Sequence, residues 1–451
     1  MAELVPRHAR AMIDEALADT RVVLLLGARQ VGKSTLVGQV AVDRGATGPI
    51  TLDDATTREA ANADPSGFVA SLVRPVVLDE AQRSEPLLLA IKEAVDRDPS
   101  PGQFLLTGSA NILTAPRLHE ALTGRTEIVT LWPFSQTEIE RSQANLVDRL
   151  FTGSIPAITG ATVGRDAFVE RAVRGGYPEA YPRAQRRRER WFESYVESVV
   201  ARDLRELADI RRIEALPSLL RLIGAQAANL FKAETMSSDL GISTKTVQSY
   251  TELLETVFLV RRVTAWRANI GRREVTTPKI YVVDSGLLAY QLGADEHRAA
   301  GDDQVTGKLF ENFVAMEIAR LLGWAETSAT QYHYRDRSTG DEIDVVLESR
   351  AGDIACVECK AAATVRPADY RAMIKLRDAR GEQFMAGVVI YTGAETRALA
   401  EKIWALPVSA LWGADDPHVT TILSPRSSAF QNRRVAAGRG ATTGRRRGSA
   451  G

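Results

Sequence analysis

The chain has 451 residues, which is enough for about two to four domains. Its contents of 45% hydrophobic and 25% charged residues are ordinary for a soluble globular protein, and its net charge of zero excludes an overall field directed at nucleic acid or membrane. The first residues lack the apolar core of a secretory signal, and the most apolar run, residues 22–26, is too short to cross a bilayer. We therefore expect a cytoplasmic protein with no membrane partner.

The chain contains two cysteines, Cys356 and Cys359, so a disulfide framework is excluded. Their Cys-x-x-Cys spacing leaves redox or metal chemistry open. A structural zinc site, however, would need four soft ligands, and on a β-strand the two sulfur atoms would point to opposite faces. We expect two structural cysteines in a reducing compartment.

The first part of the chain alternates helical and extended patterns. Apolar residues at helical spacing over 8–18 precede the continuous apolar run 21–26, and residues 34–42 again have a helical pattern. Further extended runs follow at 75–78, 104–106 and 127–131. Such alternation predicts an α/β domain with a parallel sheet.

The loop after the first predicted strand, Gly27–Ser34, fits the pattern Gly-x-x-x-x-Gly-Lys-Ser in full. Its glycines allow backbone amides to face phosphate oxygens, and the following helix adds the positive end of its dipole. Lys33 would contact the β- and γ-phosphates, and Ser34 would coordinate Mg²⁺. We therefore predict ATP and Mg²⁺ as ligands. The predicted nucleotide contacts are Gly27, Ala28, Arg29, Gln30, Val31, Gly32, Lys33, Ser34 and Thr35.

Two acidic residues, Asp79 and Glu80, follow the apolar run Val-Val-Leu at 76–78 in the manner of a Walker B motif. Asp79 would hold Mg²⁺ through water, and Glu80 would act as general base toward the attacking water. Ser109, with Thr107 as the alternative, would act as a polar sensor after the next strand. Arg125 would stabilise transition-state charge in cis or in trans, with a surface salt bridge as its alternative role.

These motifs, taken in order with Leu-Thr-Gly-Ser at 106–109 and Pro-Phe-Ser at 133–135, resemble a bacterial and archaeal family of AAA+-type ATPases that carry a C-terminal domain of unknown function. The resemblance covers roughly residues 5–410. It implies an ATPase core, a winged-helix middle and a nuclease-like end. It implies no settled biological role.

Residues 235–250 of the middle region have helix-turn-helix punctuation, with Gly241 at the turn and Ser243 as the next helix cap. Lys245 and Gln248 on the second helix could face a DNA major groove, and the basic stretch 261–273 could be a wing that touches phosphates. The alternative is a module that packs against the ATPase and never meets DNA.

The C-terminal region contains the pattern Asp344, Glu358, Lys360, in which the last two residues share one face of a predicted strand. Two carboxylates can hold Mg²⁺ beside a lysine near the attacking water, and Glu311 adds a carboxylate from an upstream helix. The set looks like the PD-(D/E)xK nuclease fold. The alternatives are a fold without activity or a plain acidic hairpin.

The fold class predicted is therefore α/β: a P-loop NTPase parallel sheet, a helical and winged-helix region, and a smaller α/β nuclease-like domain. The predicted divisions are an ATPase domain (1–140), a helical linker (141–215), a winged helix (216–295), a nuclease-like domain (296–424) and a disordered basic tail (425–451).

The predicted function is an ATPase whose nucleotide state switches modules directed at nucleic acid. The alternative is a nucleotide-gated regulatory or protein-binding module with an inert nuclease-like domain. DNA, a protein partner and a homo-oligomer are the candidate partners besides ATP.

Overall fold

The architecture comes from a computed structural model that describes residues 4–108, 123–200, 204, 213–267, 277–336 and 338–413, and the backbone of 419–423. Among the described residues, no helix is both long and apolar enough to cross a membrane. The predicted tail, 425–451, lies outside the described residues, as do Ser109 and part of the basic stretch 261–273.

The N-terminal unit is a five-stranded parallel sheet with the strand order β2-β3-β4-β1-β5. Its strands are β1 (Val22–Leu26), β2 (Thr47–Thr51), β3 (Val76–Asp79), β4 (Phe104–Gly108) and β5 (Thr126–Thr130). Its helices are α1 (Ala9–Asp19), α2 (Lys33–Arg44), α3 (Ala55–Ala63), α4 (Pro65–Ser71) and α5 (Glu85–Arg97), followed by the short α6 (Gln136–Ile139).

Strand β1, which lies between β4 and β5, is buried along its whole length because helices cover both faces of the sheet. Val23 and Leu25 belong to one hydrophobic cluster, whereas Val22, Leu24 and Leu26 belong to the other. This division is what an apolar strand produces when its side chains alternate between two covered faces. The N-terminal parallel sheet is therefore confirmed.

The middle of the chain contains α7 (Leu146–Thr152), β6 (Ile155–Ile158), α8 (Arg165–Arg174), α9 (Gln185–Ser198), α10 (Ala215–Ala225), β7 (Asn229–Leu230), α11 (Ala233–Leu240), α12 (Thr244–Thr256), β8 (Val260–Val263) and β9 (Lys279–Val282). Strands β7, β9 and β8 form a small antiparallel sheet in that order. The sheet continues toward the C-terminal domain, because Trp266 N–H donates to the carbonyl of His333 at 2.6 Å.

Residues predicted as a helical linker do not stand apart from the rest of the chain. α7 packs on the C-terminal domain, and the Asn145 amide before it donates to the carbonyl of Leu321 at 3.0 Å. β6 pairs with β16 (Val419–Leu423). Tertiary contacts, invisible to local sequence patterns, thus attach residues 145–158 to the end of the chain.

The C-terminal unit is a six-stranded mixed sheet with the order β10-β11-β12-β13-β15-β14. Its elements are α13 (Ser285–Gln291), α14 (Glu296–Gly301), α15 (Asp303–Leu322), β10 (Ala329–Arg335), β11 (Glu342–Ser349), β12 (Ile354–Lys360), α16 (Arg371–Arg380), β13 (Phe384–Tyr391), β14 (Arg397–Ala400) and β15 (Ile403–Pro407). Helix α15 is buried on most sides and contacts β9 to β12, which makes it the central helix of this half. The α/β class of the whole chain is confirmed.

Candidate functional site

The loop between β1 and α2 has the backbone shape that phosphate binding requires. Gly27 lies so close to the next chain segment that a Cβ there would stand 2.2 Å from the carbonyl oxygen of Leu131. Gly32 has a φ of 96°, which favours glycine, and as the N-cap of α2 it adds no side-chain acceptor. The first-turn amides of α2 are therefore placed to meet an anion.

The lysine of this loop is buried at the first position of α2. Lys33 Nζ donates to the carbonyl oxygens of Gly27 and Ala28, both at 2.9 Å. These contacts hold the ammonium over the loop, where a nucleotide phosphate would exchange for a carbonyl. Ser34 and Thr35 follow on the exposed side of the same turn.

The two acidic residues predicted for the site lie at the carboxyl end of β3, next to β4. The Thr107 hydroxyl donates to Asp79 Oδ1 and accepts the Glu80 amide N–H at 3.0 Å. Glu80 itself adopts a left-handed backbone with a φ of 56° and accepts a hydrogen bond from the Gln82 side chain. Thr107 and Gln82 therefore orient the acidic pair.

The Mg²⁺ predicted for this site fits the donor set. Asp79 is buried at the strand end and Ser34 is the second residue of α2, so a carboxylate and a hydroxyl oxygen are offered beside the phosphate loop. Hard oxygen donors of this kind suit Mg²⁺ shared with nucleotide phosphates.

Arg125 lies at the amino-terminal end of the parallel strands, whereas the phosphate loop lies at their carboxyl end. It precedes β5, whose first residue pairs with Val22 at the start of β1, whereas the loop follows the end of β1. Its guanidinium pairs with both carboxylate oxygens of Asp96, at 2.5 and 3.0 Å. The structure does not bring Arg125 to its own chain's phosphate site, because the strand length separates them. A role in trans stays a prediction.

Two residues outside the predicted site contact the phosphate loop. Arg7 donates from Nη1 to the carbonyl of Val31 at 2.8 Å, and the hydroxyl of Tyr195 on α9 donates to the carbonyl of Arg29 at 3.3 Å. Neither residue lies in a motif, and no local sequence signal could have found them. Both contacts arise from chain segments that the fold brings beside the loop.

A groove of about 680 Å³ adjoins the first turns of α2. It is lined on one side by the N-terminal segment and on the other by the outer face of α2. Its lining includes Leu4, Val5, Pro6, Thr35, Gln39 and Val42.

The predicted carboxylates of the C-terminal domain come together around a lysine that sequence reasoning missed. Lys279 on β9 is 2% exposed and contacts Glu311 Oε1 at 2.7 Å, Glu342 Oε1 at 2.9 Å and Asp344 Oδ1 at 2.9 Å. We call Lys279, Glu311, Glu342 and Asp344 the lysine–carboxylate cluster. Because Lys279 lies 65 residues before Asp344, only the tertiary fold reveals the contact.

The remaining predicted residues lie on the neighbouring strand. Lys360 Nζ pairs with Glu358 Oε1 at 2.8 Å, and the Cys359 amide N–H donates to Asp344 Oδ2 at 2.9 Å. Glu358 Oε2 is buried and has no hydrogen-bond partner among the described residues. Asp344, Glu358 and Lys360 are therefore neighbours, as their spacing predicted.

The charges of this region shift the pKa values in opposite directions. Burial, together with Asp344, raises the pKa of Glu311 to about 8, and burial raises the pKa of Glu358 well above its usual range. Burial opposes ionisation of Asp344, but Lys279 beside it brings its pKa below the ordinary value. Burial also opposes the charge on Lys279, yet the surrounding carboxylates, Asp344 foremost, raise its pKa well above the ordinary value.

The metal predicted for the C-terminal site does not fit the arrangement observed. In the described part of the chain, no three His, Cys, Asp or Glu side chains are grouped to hold a metal ion. The oxygens of Glu311 and Asp344 that would bind it are instead directed at the Lys279 ammonium. We therefore derive no metal-dependent step at this site.

The cysteines, the helix-turn-helix segment and the start of the basic stretch 261–273 lie within the described residues. Cys356 and Cys359 are both buried free thiols. On the helix-turn-helix segment, Lys245 and Gln248 of α12 are exposed and Val247 is buried. Of the basic stretch 261–273, Arg261 donates to Gln331 at 2.8 Å. Because Arg262 pairs with Glu255 at 2.8 Å, the beginning of the stretch is engaged within the protein.

The parallel sheet, the phosphate loop and the acidic strand end together have the arrangement of a P-loop NTPase domain. Residues 19–140 match the family described as AAA domain. Residues 165–298 and 306–411 each match a domain of unknown function, designated DUF8612 and DUF4143.

Similar proteins give the chain no further activity. Uncharacterized proteins of Mycobacterium tuberculosis and Mycobacterium bovis are each 29% identical over 409 residues, covering 90% of this chain and 84% of the relative. An uncharacterized protein of Haemophilus influenzae is 23% identical over 227 residues, covering 48% of this chain and 51% of the relative. A threonine-to-valine variant of RuvB from Thermotoga maritima has 16% identity and a TM-score of 0.28, covering 56% of this chain and 88% of its own.

Proposed function

We propose that the protein is a Mg²⁺-dependent ATPase whose nucleotide state controls its C-terminal modules. The observation that carries this proposal is a buried polar connection from the phosphate loop to α15. Through that helix the connection reaches the strand β9 that contacts the C-terminal carboxylates. Nucleotide binding at the loop would change the first contact of this connection.

The chemistry proposed for hydrolysis rests on the residues around the loop. Lys33 would stabilise the phosphate charge, and Glu80, held by Gln82, would orient and deprotonate the attacking water. Mg²⁺, held through Ser34 and Asp79, would neutralise charge on the β- and γ-phosphates. Thr107 would keep Asp79 and Glu80 in fixed relation. The groove beside α2 would accommodate the nucleoside.

Arg7 makes the first link of the connection. Its guanidinium contacts the Val31 carbonyl of the phosphate loop and forms a salt bridge at 3.0 Å with Glu138, and both side chains are only 7% exposed. Glu138 also accepts the amide of Ser135 at 3.0 Å and thereby fixes the start of α6. A shift of the loop would be felt at α6, because buried ion pairs of this kind tolerate little separation.

Helix α15 makes the second link. The amide of Gln136 donates to Glu317 Oε2 at 2.8 Å, and the other oxygen of Glu317 pairs with Arg320 at 2.6 Å. Arg320 in turn donates to the carbonyl of Val283, just after β9, at 2.8 Å. The ATPase domain is thus joined to α15 by groups that are buried and charged.

The third link joins α15 to β9. The Asn312 side chain accepts the amide of Val282 at 2.9 Å and donates to the carbonyl of the same residue at 2.8 Å. The residue adjacent to Asn312 on this helix, Glu311, contacts Lys279 on that strand. The same helix therefore carries both the contact toward the ATP site and the contact toward the carboxylates.

The C-terminal modules are proposed to act on nucleic acid. The element order α10, β7, α11, α12, β8, β9 and the sheet order β7-β9-β8 support a winged helix. Lys245 and Gln248 lie exposed on its second helix, where a major groove could be contacted. A protein partner and assembly into a homo-oligomer, in which Arg125 would act on a neighbour, belong to the same proposal.

The test is ATP hydrolysis measured with and without single-stranded, duplex and junction DNA. We expect hydrolysis that one nucleic-acid form stimulates. Glu80→Gln should keep ATP binding and lose about 10²–10⁴-fold in hydrolysis, as expected for a missing general base. Lys33→Ala should abolish ATP binding, and normal ATP affinity in that variant would contradict the assignment.

A second candidate function is a nucleotide-gated regulator whose nuclease-like domain is inert. The lysine–carboxylate cluster favours this candidate, because Lys279 occupies the carboxylate oxygens that cleavage chemistry would need. Hydrolysis that no nucleic acid changes, without divalent-dependent nicking of any DNA form, would support it. Nicking that disappears in Asp344→Ala would support the first candidate.

A further inference from the structure

We propose that the Lys279 ammonium is the resident cation of the C-terminal carboxylates and excludes a divalent metal from them. The protein then has a nuclease-like arrangement that is neutralised by its own side chain. This inference deepens the second candidate function, and its test uses no nucleotide, so it can fail independently of ATP hydrolysis.

The Lys279 ammonium occupies the position at which Asp344 and Glu311 would bind a metal ion. Asp344 is the first residue of the motif and Glu311 is the upstream carboxylate, and each directs an oxygen at Lys279 Nζ within 2.9 Å. A metal ion bound by the same two oxygens would have to stand where the ammonium stands. Because the two cations repel each other, they cannot share these ligands.

Side chains of the protein balance part of the negative charge of the carboxylates around Lys279. Lys279 is almost fully buried and meets three carboxylates, with Glu342 the most exposed of them. Glu342 is also paired with Arg335, whose Nη1 lies 3.8 Å from Glu342 Oε2. Lys279 and Arg335 thus offset two of the three carboxylate charges without a metal ion.

Lys279 reaches Asp344 from a different sheet. It comes from β9 of the small middle sheet, not from the C-terminal sheet that carries Asp344. β9 is held by β8, by β7 and by Asn312 of α15, so the lysine is delivered by a fixed strand. A lysine placed this way is part of the packing between the two modules rather than a mobile surface side chain.

The neighbouring pair shows the same pattern. Glu358 uses one oxygen to pair with Lys360, and Asp344 uses its second oxygen to accept the amide of Cys359. The predicted metal-binding carboxylates therefore have nitrogen donors as their main partners. Glu358 Oε2 is a buried oxygen without a partner among the described residues.

The test is Mn²⁺ binding by the nucleotide-free full chain, measured by calorimetry and by Mn²⁺ electron paramagnetic resonance. Lys279→Met should bind one more Mn²⁺ per chain than the wild type, and adding Asp344→Asn should remove that extra ion. Lys375→Met is the matched control, because this half-exposed lysine pairs with Asp341 at 2.6 Å in the same domain. It should leave the stoichiometry unchanged.

A folded Lys279→Met chain that gains no Mn²⁺, or whose extra ion survives Asp344→Asn, would overturn the proposal. If Lys279→Met does not fold, the proposal is tested by comparing Mn²⁺ binding of the wild type with that of Asp344→Asn. Equal Mn²⁺ stoichiometry in the wild type and in Asp344→Asn supports the proposal, and loss of an ion in Asp344→Asn overturns it. Amine acylation read by mass spectrometry gives a second measurement: Lys279 should stay protected with and without Mn²⁺, whereas Mn²⁺-dependent labelling would contradict it.

Discussion

At the scale of single residues, Thr107 holds together the two acidic groups of the nucleotide site. Its hydroxyl meets both the Asp79 carboxylate and the Glu80 amide, and Glu80 has a left-handed backbone that few non-glycine residues adopt. Ser109 was the favoured sensor from sequence and lies outside the described residues. The geometry gives Thr107 the contacts that a sensor would need.

Thr107→Val should therefore lower ATP turnover while leaving ATP affinity within a few fold. Valine keeps the shape but removes the hydroxyl, and loss of a partner that orients a metal-site carboxylate typically costs about 10–100-fold in activity. Steady-state kinetics and nucleotide titration measure the two quantities. Thr107→Ser retains the hydroxyl and should keep most of the turnover, so an equal loss in both variants would contradict this role.

At the scale of elements, α15 carries its polar groups on a helix that is otherwise apolar. Its N-cap, Asp302, accepts the amides of Gln304 and Val305, and most of its side chains are buried. A buried helix offers little room for charge, so each ionisable group on it needs a partner. Glu311 shares Lys279 with Asp344, and Glu317 pairs with Arg320.

The raised pKa of Glu311 predicts a pH dependence of stability. Between the pKa of an unfolded glutamate, about 4.3, and about 8 in the folded chain, the folded state holds a proton that the unfolded state lacks. This group's contribution is therefore fully present at low pH and is lost as the pH rises through about 8. Glu311→Gln, which mimics the protonated carboxyl, should gain stability relative to the wild type as the pH rises from about 5 to 8.

Thermal midpoints of both chains across that pH range would measure the effect. The exposed Glu401 offers a control, because Glu401→Gln should track the wild type at every pH. A difference between Glu311→Gln and the wild type that stays constant with pH would show that Glu311 is charged in the folded chain throughout.

At the scale of the whole molecule, the ATPase domain and the C-terminal domain are joined through buried polar groups. Arg7 touches the phosphate loop and Glu138, whereas Glu317 receives the amide of Gln136 from the other side. The contacts of α7 with the C-terminal sheet and the pairing of β6 with β16 add a second attachment. A change at the loop would therefore reach α15 without a mobile linker in between.

Arg7→Met should weaken the response of α15 to ATP. Removing one partner of a buried ion pair costs about 3–5 kcal/mol, because Glu138 is left uncompensated, so a lower thermal midpoint is also expected. Hydrogen exchange of α15, with and without ATP in the Glu80→Gln background, measures the response. The matched control is Arg10→Met, whose partially exposed guanidinium pairs with Asp14 and Asp43 instead.

An ATP-dependent change in α15 that is as large in Arg7→Met as in the control would show that the connection is not used. Loss of the change in Arg7→Met alone, with ATP still bound, is the expected result. The ATP titration of each variant separates weakened binding from weakened coupling.

The amino-acid sequence by itself determined the α/β class and the residues of the phosphate loop, because strand burial and phosphate binding depend on contiguous residue types. The apolar run 22–26 predicted a buried strand, and Gly27 to Ser34 fitted the phosphate-binding pattern in full. The sequence also predicted that Asp344, Glu358 and Lys360 could be neighbours, since residues on adjacent strands of a hairpin lie opposite each other. The edge strand β2, which contains Gly48 and Pro49, had no such pattern and was missed.

Only the tertiary structure decided which distant groups meet these residues. Arg7, Tyr195 and Lys279 contact the two sites from segments separated by tens of residues, and no periodicity or motif encodes such contacts. The same holds for Arg125, whose position beside the start of β1 follows from the parallel register of β5 and β1. Local pattern fixes which chemistry is available, whereas the neutralising partner of a buried charge is set by packing across the fold.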